Sequence, residues 1–152
     1  LKVNTPMMFS KSCEYGLRAV LFIAKNSVNN TKVGLVEIAK EIDSPSAFTA
    51  KILQQLTKAG LIESSKGPQG GFFISKTELN ELRLASVVEA LDGSKVFEGC
   101  GLGLSQCDDQ YPCPMHNEFL KVRTELKQML TTTKVLELAT QLNDGETWLK
   151  RI

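Results

Sequence analysis

Between Ser10 and Asn26 the apolar residues Leu17, Val20, Leu21 and Ala24 recur at i, i+3, i+4 and i+7, which is one face of an amphipathic helix. A polar break, "NSVNNTK", follows. In "GLVEIAKEID" the residues Leu35, Ile38, Ala39 and Ile42 again share a face, so a short second helix is predicted. The stretch "SPSAFTAKILQQLTKAG" predicts a third. Ser44 is expected as its N-cap and Pro45 as its first helical residue, with Gly60 as a left-handed C-terminal cap. Two helices therefore meet across a tight turn at Asp43-Ser44.

In "LIESSKGPQGGFFIS" two β-prone runs, Leu61–Ser64 and Phe72–Ser75, flank a Gly/Pro turn and predict a hairpin. Helix, helix, hairpin is the order of a winged helix-turn-helix. A further short helix is expected from Ala85 to Leu91, stopping at Asp92-Gly93. After Pro114, Met115, Phe119, Val122, Leu126 and Met129 are spaced 4, 3, 4, 3, the a/d seam of two heptads. A helix packed on its own domain would also fit, but a narrow seam beyond the compact part favours pairing with a second copy. The run "TTTKVLELATQL" predicts a last helix that folds back.

The expected class is thus mainly α with a small β-hairpin: a winged helix-turn-helix domain plus a long dimerisation helix. The expected division is a DNA-binding domain at 8–93, a cysteine-rich loop at 94–116, the dimerisation helix and its successor at 114–142, and a polar tail at 143–152. Residues 1–6, "LKVNTP", read as an unstructured lead-in.

Composition changes this picture little: the chain is 42% hydrophobic and 23% charged, enough apolar residues for a real core. The run "AVLFIA" is too short to span a membrane, and no basic n-region or cleavage site marks a signal peptide. A cytoplasmic protein is expected, in which thiols stay reduced. Charge is more informative. The overall +1 divides into a basic half, with ten Lys/Arg and five Asp/Glu over 1–76, and an acidic half, with eight and twelve over 77–152. A basic N-terminal half suits contact with a polyanion.

Projected at 100° per residue, the third helix turns Phe48, Ile52, Leu53, Leu56 and Ala59 inward. Ala47, Ala50, Lys51, Gln54 and Lys58 point outward. The second helix of a helix-turn-helix reads bases in the major groove. Lys51 and Gln54 can hydrogen-bond to guanine or adenine edges, the alanines can pack on thymine methyls, and Lys58 is placed for a phosphate. In the hairpin turn, Lys66, Gly67, Gln69 and Gly70 form the expected wing contact. Its glycines, with Gly71, let the backbone approach a phosphate wall, and Lys66 adds a charge suited to a minor groove.

Three of the four cysteines and the only histidine lie in "CGLGLSQCDDQYPCPMH". The spacing is Cys100-x6-Cys107-x5-Cys113-x2-His116. No two cysteines form the close pair usual for a zinc knuckle, although a Cys3His zinc site is chemically open. A glycine-rich loop can instead wrap an iron–sulfur cluster held by thiolates, sometimes with a histidine. A disulfide would leave one thiol over. Cys13, on the first helix, reads as a small packed residue, and Glu14 beside it as a solvated helix charge. No nucleophile–base set or phosphate-binding motif appears elsewhere, so an enzyme is not expected.

The segments "FSKSCEYGLRAVLFIA", "VEIAKEI", "FTAKILQQLTKAGLIESSKGPQGGF" and the spaced cysteines resemble the Rrf-type (IscR/NsrR-like) winged helix-turn-helix iron–sulfur transcriptional regulators. The resemblance spans about Met8 to Leu142. It implies a homodimer, paired through the long helix, on palindromic double-stranded promoter DNA. It also implies a 2Fe–2S or 4Fe–4S cluster on Cys100, Cys107 and Cys113 whose state reports iron–sulfur supply, redox or nitric oxide. His116 stands in the register of one fourth ligand used in such regulators; Glu14, given by the partner subunit, stands in the register of another. The six-residue first gap is one longer than expected, Lys66 replaces an arginine, and Ala50 replaces a glutamate, so cluster type and operator sequence do not carry over. The alternatives are a zinc-binding or cofactor-free thiol-switch regulator of the same fold, and, less favoured, a redox carrier or an enzyme-docking protein.

Overall fold

The computed structural model describes residues 8–150; the lead-in expected over 1–6 and the end of the tail lie outside the described residues. The first helix, α1 (Lys11–Val28), starts where the pattern places it. Ser10 caps it by accepting from the Cys13 amide at 3.1 Å. Asp92 in turn holds Ser10, accepting its amide at 2.8 Å and its hydroxyl. Ala19, Val20, Ile23 and Ala24 are wholly buried, which makes α1 the centre of the core.

The helix-turn-helix is α2 (Leu35–Glu41) followed by α3 (Ser46–Lys58). The turn is closed by backbone: Ser44 N–H donates to Ala39 O at 3.0 Å and Asp43 N–H to Lys40 O at 3.4 Å. These are the two bonds of a Schellman motif, with Asp43 supplying the left-handed residue at φ +52°. The end of α3 repeats it with Gly60 at φ +77°, Leu61 N–H reaching Leu56 O and Gly60 N–H reaching Thr57 O. Two expectations need correction. Ser44 is not the N-cap: Pro45 occupies that position, and the buried Ser44 hydroxyl has no partner among the described residues. Ala59 is exposed rather than inward because the helix ends there, and Thr49 takes an inward place, fully buried with its hydroxyl donated to Pro45 O at 2.9 Å.

The hairpin is shorter than expected, β1 (Glu63–Ser65) against β2 (Gly71–Phe73), antiparallel with Ser64 opposite Phe72. Leu61 and Ile62 are drawn into the core after the α3 cap. Ser75 cannot extend β2 because it caps α4 (Lys76–Glu81), accepting from Glu78 N–H at 3.3 Å. That helix was missed, although "SKTE" carries the capping-box signature. Val33 adds a bridge to Phe72 on the hairpin's far edge.

Next come α5 (Leu84–Asp92), α6 (Lys95–Glu98), α7 (His116–Thr132) and α8 (Val135–Asn143). The four-residue α6 is too short to leave a period in the sequence. After α7 the chain pairs with the start of α5, Leu84 N–H to Thr133 O and Val135 N–H to Leu82 O, and α8 then lies along α1. Val135 and Ala139 of α8 join the main core with α1 and α3. A second apolar cluster joins Cys13, Ala85, Val88, Phe97 and Leu130, tying α1, α5, α6 and α7 together. Among the described residues no helix is long and apolar enough to cross a membrane.

Replacing the fully buried Ile23 by alanine removes packed methylenes from the middle of α1 and should lower the unfolding free energy by about 2–5 kcal/mol. Val36→Ala, at a side chain 74% exposed, should stay within about 0.5 kcal/mol. Urea unfolding of both variants checks the contrast.

Candidate functional site

On α3 the residues singled out for base contact lie on the open face: Ala47, Lys51, Gln54 and Lys58 are exposed and Ala50 is half-buried. Phe48 closes the other side, its ring edge-on to Tyr15 of α1 with centroids 5.6 Å apart. No side chain caps the start of α3, so its first N–H groups have no side-chain partner among the described residues.

At the hairpin turn Lys66, Gly67 and Gln69 are exposed and Gly70 is half-buried. The glycines do different work. A Cβ on Gly70 would fall 2.2 Å from Ser65 O and one on Gly71 would fall 2.8 Å from Val33 O, so Gly70 is demanded by the hairpin's own backbone and Gly71 by the bridging Val33. Only Gly67, at φ +100° with open space around it, leaves the tip free for a close approach. One cation was missed. Lys32 donates to Ser65 Oγ at 3.0 Å and lies 4.8 Å from the Phe73 ring, placing a second positive charge at the wing's base. Its signal was the bridge at Val33, which no local pattern announces.

The cysteine segment leaves α6 and returns as the start of α7. Its departure is pinned by α7: Arg123 donates to Gly99 O at 2.8 Å, and Gly101 lies so close to the Phe119 ring that a Cβ would meet it at 2.7 Å. Its return is fixed by His116 N–H on Cys113 O at 3.0 Å. Within this excursion the donors form two pairs. Cys100 and Cys113 sulfurs are 3.8 Å apart, and Cys107 Sγ is 3.3 Å from His116 Nδ1. The other ring nitrogen, Nε2, is 2.8 Å from Asp109 Oδ1, a partner that the sequence reading did not single out. Backbone N–H groups of Leu102 and then Leu104 hold the half-buried Cys100 thiol below its ordinary pKa, as they would a thiolate ligand.

Among the described residues no three His, Cys, Asp or Glu side chains are gathered tightly enough to enclose a single metal ion. Three thiols and an imidazole nevertheless match the chemistry of a thiophilic centre, and their grouping as two pairs suits an object larger than one ion. Cys13 and Glu14 stand apart. Cys13 is fully buried; burial first, then the Asp92 charge, pushes its thiol up to about 12, so it is an inert packing residue. Glu14 pairs with Lys11 at 3.8 Å on the first turns of α1.

The seam on α7 divides. Leu126, with Leu130, packs inward on α5 and α6, and Phe119 is half-buried against the loop. Met115, Val122 and Met129 remain 45%, 59% and 47% exposed. Between α6 and α7 an apolar groove of about 400 Å³ runs past Val96, Phe119, Val122 and Leu126 to Cys100.

A family model described as Rrf2, iron-dependent transcriptional regulator, matches residues 9–141. The chain belongs to the Rrf2 family. Among the Rrf2-type relatives, a chain of Aquifex aeolicus named as an HTH-type transcriptional regulator is 30% identical over 134 residues, covering 87% of this chain and 91% of its own. The regulator IscR of Vibrio parahaemolyticus is 26% identical over 149 residues, covering 91% and 86%. In three dimensions the fold is similar to CymR, the global cysteine regulator of B. subtilis, with a TM-score of 0.71 at 19% identity over 89% of this chain and 98% of that one. It is similar to T. potens IscR with a TM-score of 0.70 at 19% identity over 91% and 90%. This Rrf2 chain is therefore a transcriptional regulator with a winged-helix fold, and not an enzyme.

The contrast between the cysteines is measurable. At pH 8 the raised Cys13 thiol stays protonated and shielded, so iodoacetamide should label Cys100, Cys107 and Cys113 in the folded, metal-free chain while sparing Cys13. Peptide mass spectrometry should find all four labelled once the chain is unfolded in guanidinium.

Proposed function

We propose that the chain is a homodimeric DNA-binding regulator that senses iron–sulfur, redox or nitric-oxide status through a cluster on Cys100, Cys107, Cys113 and His116. The observation that carries this reading is that these four donors fall into two close pairs on one short excursion between α6 and α7. A binuclear cluster asks for two ligands on each iron, which two pairs can supply. When bound, the cluster supplies a group whose assembly, oxidation or loss depends on its chemical surroundings. Glu14 of α1 is the alternative fourth ligand, reaching the loop from a second copy; the 3.3 Å contact of His116 Nδ1 with Cys107 Sγ favours His116.

The DNA-facing part rests on α3 and the wing. Ala47, Ala50, Lys51 and Gln54 enter the major groove, with Lys58 on phosphate. Lys66, Gly67, Gln69 and Gly70 follow the adjacent backbone. Lysine at the wing keeps charge but lacks the planar fork of arginine, so it contributes attraction more than base selection. The exposed apolar residues of α7 form the pairing surface. A two-fold dimer presents two copies of α3 to half-sites about one helical turn or a multiple, ~34 Å, apart, hence a palindromic promoter site. Such a regulator acts where the chromosome is, in the cytoplasm.

One observation favours a second reading. Cys100 and Cys113 sulfurs at 3.8 Å are near enough for an oxidant that takes two electrons, with release of two protons, to join them as a disulfide after a small closing motion, as a cofactor-free thiol switch requires. A zinc site on the same residues is the other variant.

The experiment is the visible absorption and the iron and sulfide content of the protein purified without oxygen, beside Cys107→Ala. The expected outcome is a brown protein with matching iron and sulfide, both lost in the variant. Colourless protein with tightly held zinc, or no metal after anaerobic reconstitution, would contradict the cluster reading and leave the DNA-binding fold standing.

A further inference from the structure

Two aspartates follow Cys107, and the structure gives them different tasks. Asp108 is spent on its own loop: Oδ1 accepts the amides of Gln110 at 2.8 Å and Tyr111 at 3.4 Å, closing a tight turn. That turn aims the next side chain, Asp109, back at α7, where its Oδ1 lies 2.8 Å from His116 Nε2. The imidazole itself is only 7% exposed although it opens a surface helix. Its second nitrogen, Nδ1, is 3.3 Å from Cys107 Sγ. Both nitrogens of the chain's sole histidine are thus occupied, on opposite sides of the ring, by the Cys107 sulfur and the Asp109 carboxylate.

We propose that Asp109 is a positioning residue that fixes the imidazole of His116 with its proton on Nε2 and offers Nδ1, beside the Cys107 sulfur, as the donor atom to the cluster. A carboxylate accepts hydrogen bonds and cannot donate one, so the nitrogen facing it must carry hydrogen. In a neutral ring that leaves the lone pair on Nδ1. A metal-binding imidazole is commonly oriented by such a carboxylate, which sets the tautomer and the ring plane and raises the basicity of the ligating nitrogen. Cys107 and His116 then act as one ligand pair, and Cys100 and Cys113 as the other. The inference rests on the cluster reading above for the ligand role; the orientation of the ring by Asp109 does not.

One histidine in the chain makes the test direct, because every imidazole signal belongs to His116. In the metal-free full chain labelled with ¹⁵N-histidine, long-range ¹H–¹⁵N spectra should give the Nε2–H tautomer. Asp109→Ala should move the Nε2 resonance, Asp109→Glu should restore it, and Asp108→Asn should leave it in place. An Nδ1–H tautomer, or signals indifferent to Asp109→Ala, would overturn the positioning role. In the reconstituted protein Asp109→Ala should give up its iron to a chelator about ten-fold more readily than the parent, with Asp109→Glu again recovering. Equal retention would overturn the part Asp109 plays in holding the cluster. A parent chain that takes up no cluster would sink the ligand role together with the proposed function, while the metal-free spectrum still judges the orienting contact by itself.

Discussion

Everything in this molecule is arranged around the burial of α1. Its inner face, Ala19, Val20, Ile23 and Ala24, is closed from water, and the elements that close it come from both ends of the chain. α3 covers it from the helix-turn-helix, α5 from the middle, and α8 from beyond the long helix. Burial of this kind is worth about 25 cal/mol for each Å² of apolar surface removed from water, far more than the exposed ion pairs here can offer. The consequence is mechanical as well as energetic. α3 sits in the main core and the anchor of α7 in the second cluster, and α1 and α5 belong to both, so the two are coupled through packed side chains that move between discrete arrangements more readily than they deform.

The cysteine excursion leaves α6, whose Phe97 is buried in the second cluster, and is held against α7. Arg123 and Phe119 pin its beginning to α7, and Cys113 and His116 form its end on the same helix. α7 rests on α5 and α6 through Leu126 and Leu130, α5 rests on α1, and α1 on α3. A change in the loop is thereby a change at the foot of the helix whose outer face, Met115, Val122 and Met129, is open for a second copy. In a two-fold pair a small rotation there alters the distance between recognition helices, and DNA half-sites tolerate little error in it.

Much of this was legible in the chain because the dominant signals are periodic or chemical. The 3.6-residue period located α1, α2 and α3 to within a residue or two, Gly60 marked a cap that is made by two backbone bonds, and the concentration of thiols marked the loop. What escaped was local competition and long-range contact. Ser44 looked like a cap, but the Schellman bonds of the preceding turn take its backbone and leave Pro45 at the helix start. Ala59 is exposed because a projection of ideal helix positions knows nothing of where the helix ends, whereas Thr49 falls on the inward arc and was passed over only because its side chain is polar. Lys32 and Asp109 act through neighbours distant in pattern, a hairpin edge and a ring across a turn, and no window of sequence contains both partners' geometry.

The central claim is that the state of the loop governs the grip on DNA. Its most direct measurement is the affinity of one preparation for its operator fragment, loaded anaerobically and then stripped of cluster, at a single stated salt concentration. The account predicts a change of at least ten-fold between the two forms, with little change on unrelated DNA, where phosphate attraction alone operates. Equal operator affinity in both forms would contradict it, leaving a winged-helix regulator whose cysteine loop serves another purpose.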